Sequence, residues 1–161
     1  MPATPAWPPK SLPRLYVREA LGPDLTIELG AHQANYLGNV LRLGAGRELL
    51  VFDGISGEWL ATIMNASRKG MTLKIGHRTR EPENMCDVWL AFAPVKRAQT
   101  DWLVEKATEL GAARLTPVMT QRTIAGRVRI DRLESIAIEA AEQCGRTRLP
   151  EIEEPLGLKQ L

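Results

Sequence analysis

The stretch from Asp131 to Pro150 constrains the fold more than any other part of the chain. Leu133, Ile136, Ala137, Ala140, Ala141 and Cys144 recur at spacings of three and four, which places them on one stripe of an amphipathic helix that a core must cover. Both ends of that helix are marked. Asp131 with Glu134 reads as a capping box, and Gly145 stands where a left-handed residue is wanted, followed by Arg146-Thr147-Arg148-Leu149-Pro150. Glu139, Glu142 and Gln143 occupy the polar side of the last turns. With Arg146 and Arg148 they form either a solvated face or a surface that holds an anionic polymer while a carboxylate and an amide meet one base.

The segments before this helix repeat a pattern. Val88–Ala93 is a continuous apolar run, as expected of a strand buried on both faces. A helix is expected over Thr100–Leu110, with Leu103, Ala107 and Leu110 aligned and Gly111 as its stop, and a second strand over Arg114–Met119. Strand, helix, strand at this spacing is a βαβ unit, so the second half is an α/β domain on a parallel sheet. Asp131–Cys144 then opens a second crossover. With only two strands legible, part of the apolar stripe is expected to remain uncovered. Ala-Pro-Val-Lys follows the first strand in place of a glycine-rich phosphate loop, which counts against a generic nucleotide-binding enzyme.

Residues 12–80 have a different grain. Short runs at Arg14–Val17, Leu25–Leu29, Glu48–Asp53, Glu58–Asn65 and Gly70–Ile75 read as strands of a small β-barrel, with a helical pattern at Ala31–Leu41. Tyr36, Leu37, Val40 and Leu41 supply the repeat in that helical pattern. Asp53-Gly54 with Ser56-Gly57 between two strands signals a hairpin, because these residues accept positive φ. The net charge of the whole chain is +2, but residues 1–80 hold ten Lys/Arg against six Asp/Glu. Arg18, Arg42, Arg47, Arg68, Lys69, Lys74, Arg78 and Arg80 either track a phosphate backbone from one face or are scattered for solubility. The polar stretch Thr79–Asp87 is the expected boundary, giving domains at 12–80 and 87–161. Met1–Pro9 has four prolines and no apolar core, so 1–11 is expected to be a disordered lead-in rather than a signal peptide.

Other classes are disfavoured by composition. No run approaches the roughly 18 apolar residues of a membrane span. Cys86 and Cys144 lack any paired spacing and read as buried free thiols of a reducing cytoplasm, and His32 and His77 stand alone, so neither a disulfide nor a metal site is expected.

Taken together, Leu103-Val104-Glu105-Lys106-Ala107-Thr108-Glu109-Leu110-Gly111, Pro117, Gln121-Arg122-Thr123, Glu139-Ala140-Ala141-Glu142-Gln143-Cys144-Gly145-Arg146 and Pro150 resemble the ribosomal RNA small subunit methyltransferase E family. In the first half, Arg14-Leu15-Tyr16, Asn39-Val40-Leu41-Arg42 and Phe52-Asp53-Gly54 look like the same family's PUA-like barrel. The resemblance runs over nearly the whole chain from Arg14. It implies an α+β, PUA-like RNA-binding barrel followed by an α/β SPOUT-type domain with a trefoil knot. It also implies transfer of a methyl group from S-adenosylmethionine to N3 of a uridine in 16S ribosomal RNA of the small subunit, by a homodimer. The family's donor site lies in glycine-rich knot loops of the last third. Beyond Gly126 only Gly145 and Gly157 occur, so this chain is expected to match the N-terminal part of that domain, incomplete and without a cofactor site. The alternative function is an RNA-binding module without catalysis.

The implied chemistry assigns roles. N3 of uridine keeps its proton at neutral pH, so methylation requires a base and a group that stabilises charge on the neighbouring carbonyls. Glu139 is the candidate base or base-orienting carboxylate, Gln143 the hydrogen-bond partner of the uracil edge, and Arg146 the charge-stabilising cation or phosphate anchor. Arg14, Arg42, Lys96, Arg122 and Arg148 are the candidate RNA contacts; Lys96 follows the first buried strand, at the carboxyl end where ligands collect in open α/β sheets. Lys106 and Glu109 read as surface or interdomain contacts.

Overall fold

Alternation of buried and exposed residues shapes the first part of the chain. In the computed structural model, which describes residues 12–67, 70–123 and 127–161, the strands are β1 (Arg14–Tyr16), β2 (Thr26–Leu29), β3 (Glu48–Phe52), β4 (Glu58–Ser67) and β5 (Gly70–Arg80). The lead-in at 1–11, Arg68, Lys69 and the centre of the loop at 123–128 lie outside the described residues. The sheet order is β1-β3-β4-β5-β2, with β1 parallel to β3 and every other pair antiparallel. Trp59, Ala61 and Ile63 of β4 and Met71, Leu73 and Ile75 of β5 point to one face, where they meet Leu15, Ile27, Leu29, Leu49 and Val51. Register shifts at Glu58/Trp59, Trp59/Ala61 and Ile63/Asn65 interrupt β4. Such bulges bend a strand and strengthen its twist, which is how a five-stranded sheet wraps around a core.

The helical pattern at Ala31–Leu41 is only partly α. Helix α1 covers Ala31–Asn35 and passes into a π-helical stretch, Tyr36–Val40, closed by the Leu41 N–H donating to the Tyr36 carbonyl at 3.0 Å. A π-turn breaks the 3.6-residue stripe. Leu37 is therefore fully buried while Val40, one of the expected inward residues, is exposed.

The β3–β4 hairpin is fixed by one carboxylate. Asp53 accepts hydrogen bonds from the Ile55 N–H (2.8 Å), the Ser56 N–H (2.7 Å), the Ser56 hydroxyl (2.7 Å) and the Leu21 N–H (3.3 Å). Gly54 and Gly57 take φ of 80° and 97°, which favours glycine. A Cβ on Gly57 would stand 2.3 Å from the Arg80 carbonyl oxygen.

The contact pattern divides the chain between Pro82 and Glu83. In the second unit, β6 (Trp89–Phe92), α2 (Arg97–Glu109), β7 (Arg114–Met119), α3 (Ile130–Cys144), β8 (Glu151–Ile152) and β9 (Leu156–Gly157) follow in order. β7 is central and parallel to all its partners: β6 along one edge, and β8 and then β9 along the other. The sheet thus has strands beyond the two expected, and α3 returns to it through β8. Helices α2 and α3 pack together on one face, where Val104, Ala107, Leu133 and Ala137 meet Phe92 and Leu115. The α3 stripe is covered as a result: Leu133, Ala137, Ala140 and Ala141 are buried.

Several expectations need correction. β6 is not buried on both faces, because it is an edge strand: Phe92 is buried but Trp89 is 64% exposed. On that open face Trp89, Arg114 and Glu151 stand in register across β6, β7 and β8. The Arg114 guanidinium lies 4.1 Å from the Trp89 ring centroid and pairs with Glu151 and Glu153. Leu110 falls at the C-cap of α2 and is 82% exposed, so Val104 and Thr108 take the inward places. The capping box is absent: Arg129 is the N-cap of α3 without a side-chain cap bond, and Asp131, the second residue of the helix, pairs with Arg129. Cys86 and Cys144 are exposed, Cys144 because it sits at the open end of α3. Gly145 does take the left-handed conformation, with φ 82°.

The Asp53 hairpin gives a pH-dependent prediction. Burial pushes its carboxyl up, but the hydrogen bonds from Ser56, Ile55 and Leu21 together outweigh this and hold it below its ordinary 3.8. A depressed carboxylate stabilises the fold above the unfolded-state value and loses that contribution as pH falls through the folded-state value. Asp53→Ala is expected to cost about 1.5–3 kcal/mol in urea unfolding at neutral pH. The difference from the parent chain should shrink once pH drops below 3.8.

Candidate functional site

Helix α3 presents its last two turns to solvent on one side. Glu139 and Gln143, one turn apart, are both exposed, and the Gln143 amide donates to the Glu139 carboxylate at 3.3 Å. A carboxylate and an amide therefore share one accessible face, with the spacing that places i and i+4 residues side by side.

Arg146 and Arg148 have other work. Just past Gly145 the chain folds over Glu83: the Arg146 guanidinium donates to Glu83 Oε2 at 3.0 Å, and the Thr147 and Arg148 N–H groups donate to Oε1 at 2.8 and 3.2 Å. Arg148 Nε donates to the Glu83 carbonyl at 2.9 Å, and the Glu83 N–H donates to the Thr147 hydroxyl at 3.0 Å. Arg146 Nε also reaches the Thr108 carbonyl. Gly111, at φ 82°, lies directly under this guanidinium; a Cβ there would come within 1.3 Å of Arg146 Nη2. The stop of α2 and the exit of α3 are thus locked by one cation. Nothing in the sequence singles out Glu83 from its neighbours Glu81 and Asp87 in a polar stretch some sixty residues away.

Lys96 lies beyond the carboxyl end of β6 and Arg122 beyond that of β7. Lys96, the N-cap of α2, lines a cavity of about 430 Å3 with Pro94, Val95, Arg97, Thr100, Arg127 and Arg129 among its walls. Arg122 is exposed beyond β7, beside an open depression shared with Lys159 and Gln160. Lys106 sits on the α2 surface between Glu105 and Glu109, whose hydrogen bonds push its ammonium up to about 12.

In the first unit the structure separates two arginines. Arg14 is not presented to a polymer: its side chain is 8% exposed, pairs at 2.7 Å with Glu58, itself fully buried, and lies 4.6 Å from the Phe52 ring centroid. β1 carries Arg14 alongside β3 and places it over the start of β4, which the sequence pattern alone does not show. Arg80 approaches the same carboxylate at 3.8 Å, and the Thr79 hydroxyl donates to it at 3.1 Å. Arg42 is exposed and directly follows the helical segment at φ 57°. Removing Arg14 leaves Glu58 with the longer Arg80 contact, so Arg14→Ala should cost about 3–5 kcal/mol in urea unfolding. A loss below 1 kcal/mol would show that Arg80 replaces it.

Comparison with known proteins places both units in one context. Residues 82–161 match the family model described as an RNA methyltransferase domain, and residues 29–76 match that of an RNA methyltransferase PUA domain. Among curated proteins, the ribosomal RNA small subunit methyltransferase E of Rickettsia conorii is 30% identical over 91% of this chain and 60% of its own length. The protein of the same name from Synechocystis is 33% identical over 85% of this chain and 46% of its own. The chain thus spans about half to three-fifths of these relatives. Among solved structures, a ribosomal RNA small subunit methyltransferase E from Neisseria gonorrhoeae bound to S-adenosyl methionine superposes with a TM-score of 0.85 at 27% identity, covering 93% of this chain and 64% of that one.

Proposed function

We propose, from the premise that this chain belongs to the ribosomal RNA small subunit methyltransferase E family, that it serves S-adenosylmethionine-dependent methylation of N3 of a uridine in 16S ribosomal RNA. The observation that carries this reading is the order of two matches in one chain, an RNA methyltransferase PUA domain and then an RNA methyltransferase domain, each falling on one structural unit. Cytoplasmic small-subunit RNA is the substrate, and a homodimer is the active assembly.

The roles divide by unit. The first unit grips RNA nonspecifically, with exposed Arg42 as a phosphate contact and Arg14 excluded by its burial. In the second unit, Glu139 removes or orients the N3 proton and Gln143 holds the uracil edge, since both stand free to meet a base on the open side of α3. Arg122 reaches the RNA from the loop after β7. Arg146 acts as a positioning residue: pinned to Glu83, it fixes the end of the helix that carries Glu139 and Gln143. The methyl group travels on a sulfonium, and the cationic cavity around Lys96 does not suit such a donor, so no step is assigned to it there.

Deleting the encoding locus should remove one N3-methyluridine from small-subunit RNA, read by mass spectrometry of nuclease digests. An unchanged digest would overturn the reading. Returning the gene with Glu139→Gln should leave the uridine unmethylated. Arg42 has its own test in Arg42→Gly. Glycine relieves a left-handed strain of roughly 1–2 kcal/mol and loses part of that to unfolded-chain entropy, so Tm should hold or rise. The slope of log affinity against log salt should flatten by about 0.7 on single-stranded RNA, one phosphate contact.

A further inference from the structure

The cavity around Lys96 has a charge pattern that the fold itself does not resolve. Its walls carry Lys96, Arg97, Arg127, Arg129 and Arg132 against one acid, Asp101. That acid is spoken for: Arg132 Nε and Nη2 donate to its two oxygens. Asp131 is likewise held by Arg129. Among the described residues, Lys96, Arg97 and Arg127 have no side-chain partner, and all three are exposed.

The same cavity receives the beginnings of α2 and α3. Lys96 and Arg129 are their N-caps, neither helix has a side-chain cap bond, and no acid stands in the first turn of α2. A helix start carries partial positive charge and favours anions; at α3 the first-turn Asp131 meets Arg129, but at α2 Lys96 has no such acid and raises the local energy. An oxyanion brought from outside removes the conflict, accepting from side chains and from free N–H groups together. The walls are also built rather than incidental. The Thr100 hydroxyl, 7% exposed, accepts from the Val95 N–H at 3.1 Å and so fixes the turn that carries Lys96. Pro94 and Leu133, both buried, close the apolar side. A volume of about 430 Å3 lies within the roughly 300–1,000 Å3 of pockets that take small-molecule-sized groups, enough for a phosphate with its sugar.

We infer that this cavity is a phosphate clamp of the second unit, taking one internucleotide phosphodiester of the RNA substrate through Lys96, Arg97 and Arg127. The inference rests on the RNA-methylating function proposed above. It assigns the cavity to the RNA backbone and not to the methyl donor, whose reacting sulfonium gains nothing from a cationic wall.

The test uses the 161-residue chain and a fluorescein-labelled single-stranded oligouridine titrated over a series of KCl concentrations. The double variant Lys96→Ala, Arg127→Ala should bind several-fold more weakly, with a salt slope flatter by about 0.7. Lys106→Ala, which removes a cation already paired on the same unit, should keep the parent slope. A double variant with the parent slope would overturn the clamp and leave the RNA reading standing. A parent chain that shows no salt-dependent binding would overturn both. Amide NMR shifts of the parent chain decide the matter even where the variant fails to fold. Shifts at Arg97, Ala98 and Ile130 on adding the oligouridine support the clamp. Shifts there with inorganic phosphate alone, and none with RNA, would make it a small-anion site and overturn the proposal.

Discussion

The Glu83 carboxylate is the interaction on which the second unit depends. It stands at the start of that unit and gathers Arg146, Thr147 and Arg148 just after α3 has ended. That fold-over directs the chain toward the edge of β7, where Glu151 and Ile152 pair in parallel with Arg114 and Leu115. The buried stripe of this fifteen-residue helix holds it on the sheet, and a single carboxylate fixes its exit with charge-assisted bonds in a half-buried setting. Gly111 completes the device. Only a residue without a Cβ leaves room for the Arg146 guanidinium at the end of α2, so one cation sets the ends of two helices.

That structural use of Arg146 clarifies the chemistry available on α3. A guanidinium committed to a carboxylate and a carbonyl is a poor mobile partner for a reacting base, yet it is a good anchor for the helix that displays one. Glu139 and Gln143 remain on the open side, within hydrogen-bond reach of each other. Among the described residues, Lys96 and Arg97 at the beginning of α2 and Arg127 just ahead of α3 have no side-chain partner. The unit thus separates a carboxylate–amide face at the end of one helix from a cationic cavity at the helix starts. Such a separation suits a polymer substrate whose base and backbone must be held at different points.

The first unit shows the same economy with buried charge. Arg14 and Glu58 form an ion pair roofed by Phe52, with Arg80 and Thr79 adding to the same carboxylate. A buried pair is stable only when both charges and their remaining valences are satisfied, and here they are. The pair joins β1 to the start of β4 across the parallel β1–β3 ladder. The cation nearest the beginning of the sheet is therefore structural, while Arg42, with its left-handed backbone, stands exposed.

Local pattern was enough for much of this architecture. The α3 stripe, the Gly111 and Gly145 stops, the Asp53 hairpin and the strand–helix–strand order all follow from residue spacing and backbone preference, because each is decided within a few residues. The pattern misled where distant contacts decide. Val88–Ala93 has the composition of a central strand, but its position at the sheet edge exposes Trp89. Asp131 looks like a cap, yet Arg129 takes that place and claims the carboxylate. Arg14 and Arg42 are equally basic in the sequence, and only the pairing of β1 with β3 buries one of them beside Glu58. The sequence by itself determined the main helices and strands and the glycine stops between them, but not the short β8 and β9 or the π-helical turn at Tyr36–Val40. Tertiary structure alone decided which charges are spent on one another, because Glu83 with Arg146 and Arg14 with Glu58 meet only after the chain between them has folded.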